Sequence, residues 1–397
     1  SCIGCGACVA ACKNGSAMFF LIIHNEYRDK GGEESVVAFQ KHLLESKGHK
    51  VRLYTRSYQE AEKWFLGKMW TTFTSIYNYK SIRDIKKIIK EEKPDVAIIH
   101  NVFSIISPAI IPLLKKNGVK VWQIVHNYRL FCPIGIFFNQ GEICEKCLGK
   151  HREWNCFKNH CTEKRLSDFS FALKFSIVRK CNYYKYVDKF FSLSQFQKQI
   201  LASNGIDEEK IIRLPNTYTP LETPPVLDFD KKNVIGFVGR LTKEKGFFDF
   251  ISLAKQMPEY EFCVAGKITK EIENYELPKN LKFEGFLDKK QMSAFYSKCK
   301  VVLFLSRWYE GFPMVLVEAL YHYTPLIVND LSVMAEVVKD NYNGYKVEIG
   351  DVEAIKDKIN LLFSDNEAYK TLTFNCRKDF DENYSVENYY NRLIQTN

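Results

Sequence analysis

The chain has 397 residues, 46% hydrophobic and 26% charged, which excludes disorder as the main state and gives enough length for two or three domains. No apolar run approaches the ~18–20 residues of a membrane span, and no basic start leads into a cleavable apolar region. The net charge of +10 is uneven: residues 1–200 carry 32 Lys and Arg against 17 Asp and Glu, the remainder 25 against 30, so the first half calls for an anionic partner such as phosphate, acidic lipid or nucleic acid.

From Met18 onward, apolar segments predict strands at 18–25, 51–54, 95–100, 119–126, 190–194 and 211–214, with helical periodicity over 34–48 and 82–92. Near-continuous apolar strands between helices mean a parallel sheet covered on both faces. Pro215, Pro220, Pro224 and Pro225 break the pattern as a linker would. A second alternation then predicts strands at 234–239, 261–265, 281–286, 301–306 and 325–328. The expected fold is α/β with two doubly wound domains, 18–213 and 233–380, joined by a linker at 214–232. A Tyr-rich helix at 381–397 is expected to pack back on the first domain. Ligands of such sheets bind at the carboxyl ends of the strands, so the cleft between the domains is the expected site.

Two segments carry chemistry. In Val238-Gly239-Arg240-Leu241-Thr242-Lys243-Glu244-Lys245-Gly246 a strand ends at a glycine and two cations leave it together, which suits a diphosphate. In Ser306-Arg307-Trp308-Tyr309-Glu310-Gly311-Phe312-Pro313 a second strand ends, Gly311 permits a tight backbone, and Pro313 suits a first helical turn. The rise from Pro313 to Glu318 is roughly 7–8 Å, so Glu310 and Glu318 can reach separate parts of one elongated ligand. Glu318 lies in an apolar run and wants a partner. The D-x-D segments Asp228-Phe229-Asp230 and Asp379-Phe380-Asp381 end no strand and read as solvated surface.

Together these segments resemble retaining glycosyltransferases of the GT-B fold, family 4, whose pattern is G-R-L-x-x-x-K-G followed by E-G-x-P within E-x7-E. Gly239, Arg240, Leu241, Lys245, Gly246, Glu310, Gly311, Pro313 and Glu318 all match. The resemblance extends from Met18 to the carboxyl end. It implies that Arg240 and Lys245 hold the diphosphate of a nucleotide-sugar donor and stabilise it as it leaves, with no cofactor required for catalysis. It gives Glu310 the hydroxyls of the transferred sugar and Glu318 the ribose. Phe286 is placed at the base, and Gly266 at another strand end. The loop Gly311-Phe312-Pro313 counts with the substrate-binding residues. In the first domain the resemblance points to Gly31 and Gly32 as an acceptor-side glycine loop and to His126 as a functional histidine that orients a hydroxyl or helps move a proton. His100 and Asn101 are further acceptor-side candidates. The implied reaction is sugar transfer with retention to a saccharide or lipid-linked acceptor of capsule or lipopolysaccharide assembly, in the cytoplasm or on the inner membrane face, with no nucleic acid involved.

Thirteen cysteines fall largely in two clusters. Cys132, Cys144, Cys147 and Cys161, in a loop over 128–165, form a candidate structural zinc set. Cys2, Cys5, Cys8 and Cys12 resemble the iron–sulfur motif of dehydrogenase subunits. Lys13 stands where that pattern has proline, and no second cysteine run follows. Residues 1–17 are therefore expected to be a fused or appended segment, with no iron–sulfur cluster. Competing readings are a sugar-phosphate synthase or epimerase on the same fold, an iron–sulfur electron-transfer protein, and a zinc-dependent nucleic-acid binder.

Overall fold

The computed structural model describes residues 17–26, 31–57, 59–62, 72–103, 105–162, 164–219, 224–229, 231, 233–273 and 275–395. Cys2, Cys5, Cys8 and Cys12 lie outside these residues, as does Asp230. The chain divides into two compact units.

The first unit is built on six parallel strands: β1 (Phe19–Glu26), β2 (Lys50–Ser57), β3 (Val96–Asn101), β4 (Lys120–Val125), β5 (Lys189–Ser192) and β6 (Ile211–Arg213), in the order β2-β1-β3-β4-β5-β6. The run Phe20 to Ile23 and all of β3 are buried, as strands covered on both faces must be. Helix α1 (Gly32–Ser46) connects β1 to β2, and α2 (Tyr79–Glu92) leads into β3. In α2 the apolar residues recur at helical spacing, so Ile82, Ile85 and Ile88 go inward. Asn78 caps its start by accepting from Ser81 N, and Lys93, left-handed at φ 52°, ends it before Pro94. The connection after β4 carries the cysteine loop and then helix α3 (Arg165–Cys181).

The second unit repeats the architecture with β7 (Val234–Val238), β8 (Glu261–Ala265), β9 (Leu281–Gly285), β10 (Val301–Phe304), β11 (Leu326–Asn329) and β12 (Gly344–Val347), ordered β9-β8-β7-β10-β11-β12, all parallel. Phe237, Phe247, Phe250 and Phe262 are almost wholly buried, and Phe250 lies 5.2 Å from both Phe237 and Phe262 by ring centroid. Such aromatic packing adds to simple area burial. The predicted linker residues Leu214, Asn216, Thr217 and Tyr218 are buried within this unit, with Thr217 Oγ1 donating to Tyr384 O. Helix Val386–Ile394 falls in the same unit. Strand β12 escapes the sequence reading because Gly-Tyr-Lys-Val lacks an apolar run.

Candidate active site

In doubly wound sheets ligands bind where the strand order reverses. In the second unit that point lies between β7 and β10, and both motif segments leave the sheet there. Glycine lets these loops close on one another. Gly239 has φ 146° and donates its N–H to Ala265 O at 3.0 Å. A Cβ on Gly266 would stand 2.1 Å from Gly239 O, and one on Gly246, at φ 75°, 2.2 Å from Leu305 O. No side chain fits at either place.

Three donors converge on Oε1 of Glu310: Lys245 Nζ at 2.5 Å, Ser306 Oγ at 2.5 Å and Trp308 Nε1 at 2.7 Å. Burial alone would raise the carboxyl pKa, but the Lys245 charge and these hydrogen bonds hold it below the ordinary value. Glu310 is thus a carboxylate. Lys245 and Arg240 both approach the Trp308 ring, at 5.1 and 5.5 Å from its centroid. Arg240 is 61% exposed, and its carboxylate neighbour Glu244 is 3.6 Å away. Gly311 stands between Glu310 and the buried Phe312, whose ring lies 6.1 Å from Tyr384 and whose carbonyl accepts from Asn216. Pro313 sits at the N-cap of α4 (Met314–Tyr321), one position before the expected first turn.

Glu318, on α4, accepts from Tyr296 Oη at 2.7 Å. Its pKa is raised by burial, which outweighs Tyr296 and Lys289. The Tyr296 hydroxyl is fully buried and pushed well above its ordinary value by burial and then by Glu318, so it remains a donor. Phe286 is 77% exposed just beyond β9, with Lys267 Nζ 5.5 Å from its ring centre.

In the first unit the reversal lies between β1 and β3. His24, His100 and His126 stand at or just beyond the carboxyl ends of β1, β3 and β4. His100 Nδ1 lies 2.8 Å from His126 Nε2, and His100 Nε2 lies 2.8 Å from Gln40 Oε1 on α1. The rings of His100 and His126 stack at 5.0 Å. With the Gln40 oxygen accepting, His100 carries its proton on Nε2, so His126 donates from Nε2 and keeps Nδ1 as an acceptor. Burial, then the nearby His24, lowers the His126 pKa to about 3, and His100 falls well below its ordinary value. His126 is therefore a neutral hydrogen-bonding group, suited to orienting a hydroxyl. It lines a pocket with His100, Asn101, Asn127, Arg129 and Tyr184.

Gly31 caps α1, with its N–H on Glu34 Oε2 at 2.8 Å, and a Cβ on Gly32 would meet open space. The preceding loop residues 27–30 lie outside the described residues. Cys132, Cys147 and Cys156 are buried, while Cys144 and Cys161 are half-buried. Among the described residues no three His, Cys, Asp or Glu side chains are grouped so as to hold a metal ion, and of the expected set Cys132, Cys147 and Cys161 fall in the first unit and Cys144 in the second. Cys161 instead hydrogen-bonds Cys156, which raises the Cys156 thiol pKa and lowers that of Cys161. Asp379 corrects the surface reading of its segment. It is 1% exposed and accepts from Lys339, Asn343 and Asn383. Gln40, Ser306, Trp308 and Tyr296 carry site geometry that sequence reasoning did not assign. Ser306 and Trp308 were within reach, lying four and two residues before Glu310, whereas Gln40 and Tyr296 carry no local signal.

Comparison with known proteins places the chain among glycosyltransferases. The family model for Glycosyltransferase Family 4 matches residues 30–219, and that for Glycosyl transferases group 1 matches 222–379. A protein of Klebsiella pneumoniae described as an uncharacterized 42.6 kDa protein in the cps region is 26% identical over 332 residues, covering 82% of this chain and 78% of its own. The Campylobacter jejuni GalNAc-alpha-(1->4)-GalNAc-alpha-(1->3)-diNAcBac-PP-undecaprenol alpha-1,4-N-acetyl-D-galactosaminyltransferase is 31% identical over 178 residues, covering 42% of this chain and 49% of its own. The structure of sucrose-phosphate synthase from Thermosynechococcus elongatus superposes with a TM-score of 0.71 at 15% identity, over 95% of this chain and 98% of that one. Fold and matches define a glycosyltransferase with two Rossmann-like domains of the GT-B kind. Within that class the chain is a family 4-like glycosyltransferase.

Proposed function

We propose that the enzyme moves a sugar from a nucleoside-diphosphate sugar to a saccharide or lipid-linked acceptor with retention of configuration. The observation that carries this reading is the ionised Glu310 set against Lys245 beside Arg240. The bond from the anomeric carbon to the diphosphate breaks, and Arg240 and Lys245 stabilise the leaving charge. The acceptor oxygen bonds to that carbon on the same face, and its proton passes to the departing phosphate oxygen. Glu310 accepts from hydroxyls of the sugar, Glu318 from the ribose, and the exposed Phe286 stacks on the base. His126, neutral and accepting at Nδ1, orients a hydroxyl. No metal is assigned to these steps.

The acceptor we infer belongs to bacterial surface-polysaccharide assembly. The Klebsiella relative lies in a cps region by its name, and the Campylobacter relative's name specifies an undecaprenol-linked acceptor. The excess of cations in the first 200 residues favours a phosphate-bearing acceptor and an anionic membrane face. No described helix is long and apolar enough to cross a membrane, and peripheral association is the arrangement we propose.

Calorimetric titration with UDP, GDP and ADP in EDTA tests the donor site. One nucleotide should bind tightly to the wild type and roughly tenfold or more weakly to Glu318→Ala, the loss of one charged hydrogen-bond acceptor. A folded wild type that binds none of the three would overturn the reading.

A further inference from the structure

Buried charges in the cysteine-loop region differ in how far they are matched. Glu153, 2% exposed, accepts from Arg179 Nη1 at 2.9 Å and Ser176 Oγ at 2.7 Å. Asp168 accepts from Thr162 N at 2.8 Å through Oδ1, while its Oδ2 is buried with no hydrogen-bond partner. Two cations stand apart. Lys174, on the inner side of α3, is 8% exposed, and the groups near it are the Phe171 ring, 3.9 Å from Nζ, and the neutral Cys156 thiol. Arg129, three residues past His126, has its Nε buried with no hydrogen-bond partner. Among the described residues neither has a carboxylate partner. They also repel each other: burial, then the Arg129 charge, lowers the Lys174 pKa to about 7.

Lys174 is buried and Arg129 is half-buried with its Nε enclosed, and cations so placed without an anion are costly to fold unless an anion joins them. Arg129 lines the same pocket as His126, Asn127 and Tyr184. Burial raises the Tyr184 hydroxyl pKa, and Arg129 lies close enough to oppose that shift, so Tyr184 remains a donor at neutral pH. Phe175, next to Lys174 on α3, stacks on Phe103 of the pocket wall at 5.3 Å. Guanidinium, ammonium and phenol are donors that match a phosphoryl group.

We propose that Arg129, Lys174 and Tyr184 form an anion subsite beside His126 that takes a phosphoryl group. That the group is carried by the acceptor rests on the transferase reading above. The subsite itself does not.

Thermal unfolding of the full chain tests it, with inorganic phosphate, pyrophosphate or geranyl diphosphate added against chloride at matched ionic strength. A tenfold excess over the dissociation constant should raise the wild-type midpoint by about 2–4 °C. Lys245→Ala should keep this response. In a Lys245→Ala background, which removes the donor-site diphosphate contact, Lys174→Met should start from an equal or higher midpoint, because a buried charge is removed, and should lose the response, as should Arg129→Gln. A stronger response to geranyl diphosphate assigns the phosphoryl group to a lipid-linked acceptor, and a stronger response to the inorganic anions assigns it to a free phosphate. No response in the wild type, or an undiminished response in both variants, overturns the proposal. If the donor reading fails instead, the wild type binds none of the three nucleotides while the phosphate response stays.

Discussion

At the scale of single residues, Glu310 and Glu318 are two carboxylates with opposite environments. Glu310 is held below the ordinary carboxyl range, so its interactions persist at neutral pH and are lost only as the pH falls through that lowered value. Glu318 is held above the range, so it takes up a proton first on acidification. Nucleotide affinity should therefore weaken on acidification while Glu310 is still charged. Glu318→Gln should bind less well at neutral pH and lose this acid limb. Calorimetry across a pH series reads both, and a wild-type affinity flat down to the ordinary carboxyl range would refute the assignment. Glu310→Gln puts an amide among the three donors, so release of nucleotide from a bound sugar donor should fall about 10²–10³-fold, with nucleotide affinity changed far less. Gln40 acts through His100. Gln40→Leu removes the acceptor that sets the His100 tautomer, so His126 should show a mixed tautomer by nitrogen NMR and a lowered kcat with donor affinity intact. An unchanged His126 tautomer in Gln40→Leu would show that the amide does not position it.

At the scale of elements, the glycines that end strands act as wedges. Gly266 leaves β8 against the carbonyl of Gly239, and no rotation of a methyl relieves a 2.1 Å approach to backbone. Gly266→Ala should cost about 3 kcal/mol or more in denaturant unfolding, and a loss under about 1 kcal/mol would mean that the loop yields. Much of this layer was legible in the sequence. The strands at 234–238 and 301–304 announced themselves as apolar runs, and the segments Gly239 to Gly246 and Glu310 to Glu318 sat at their ends. Contacts over long sequence separation left no local mark. Gln40 meets His100 from 60 residues away, and Tyr296 meets Glu318 from 22. Asp379 read as surface because its segment is polar, yet a helix face is set by 3.6-residue periodicity, and Tyr369, Leu372, Cys376 and Asp379 go inward together.

At the scale of the whole molecule, the charge is segregated along the chain, and in the first unit three lysines gather at one pocket. Lys86 and Lys90 follow one stripe of α2 and, with Lys93 at its C-cap, line a pocket with Ile89, Pro94, Asn117 and Val119. Pro94 and Val119 precede β3 and β4, so this basic pocket lies at the opposite end of the strands from His100 and His126. Like charges four residues apart on a helix destabilise it, and none of the three lysines has a carboxylate partner among the described residues. An anionic surface meeting this stripe would relieve the repulsion and leave the histidine edge of the sheet uncovered. Each lysine near such a surface contributes about 1 kcal/mol. The triple variant Lys86→Gln, Lys90→Gln, Lys93→Gln should therefore bind phosphatidylglycerol vesicles about 100-fold more weakly than the wild type, with nucleotide affinity unchanged. Wild-type binding should fall steeply with added salt and be absent on phosphatidylcholine. Vesicle binding that resists both salt and the triple substitution would remove this face from membrane contact and leave the charge of the first unit to the acceptor alone.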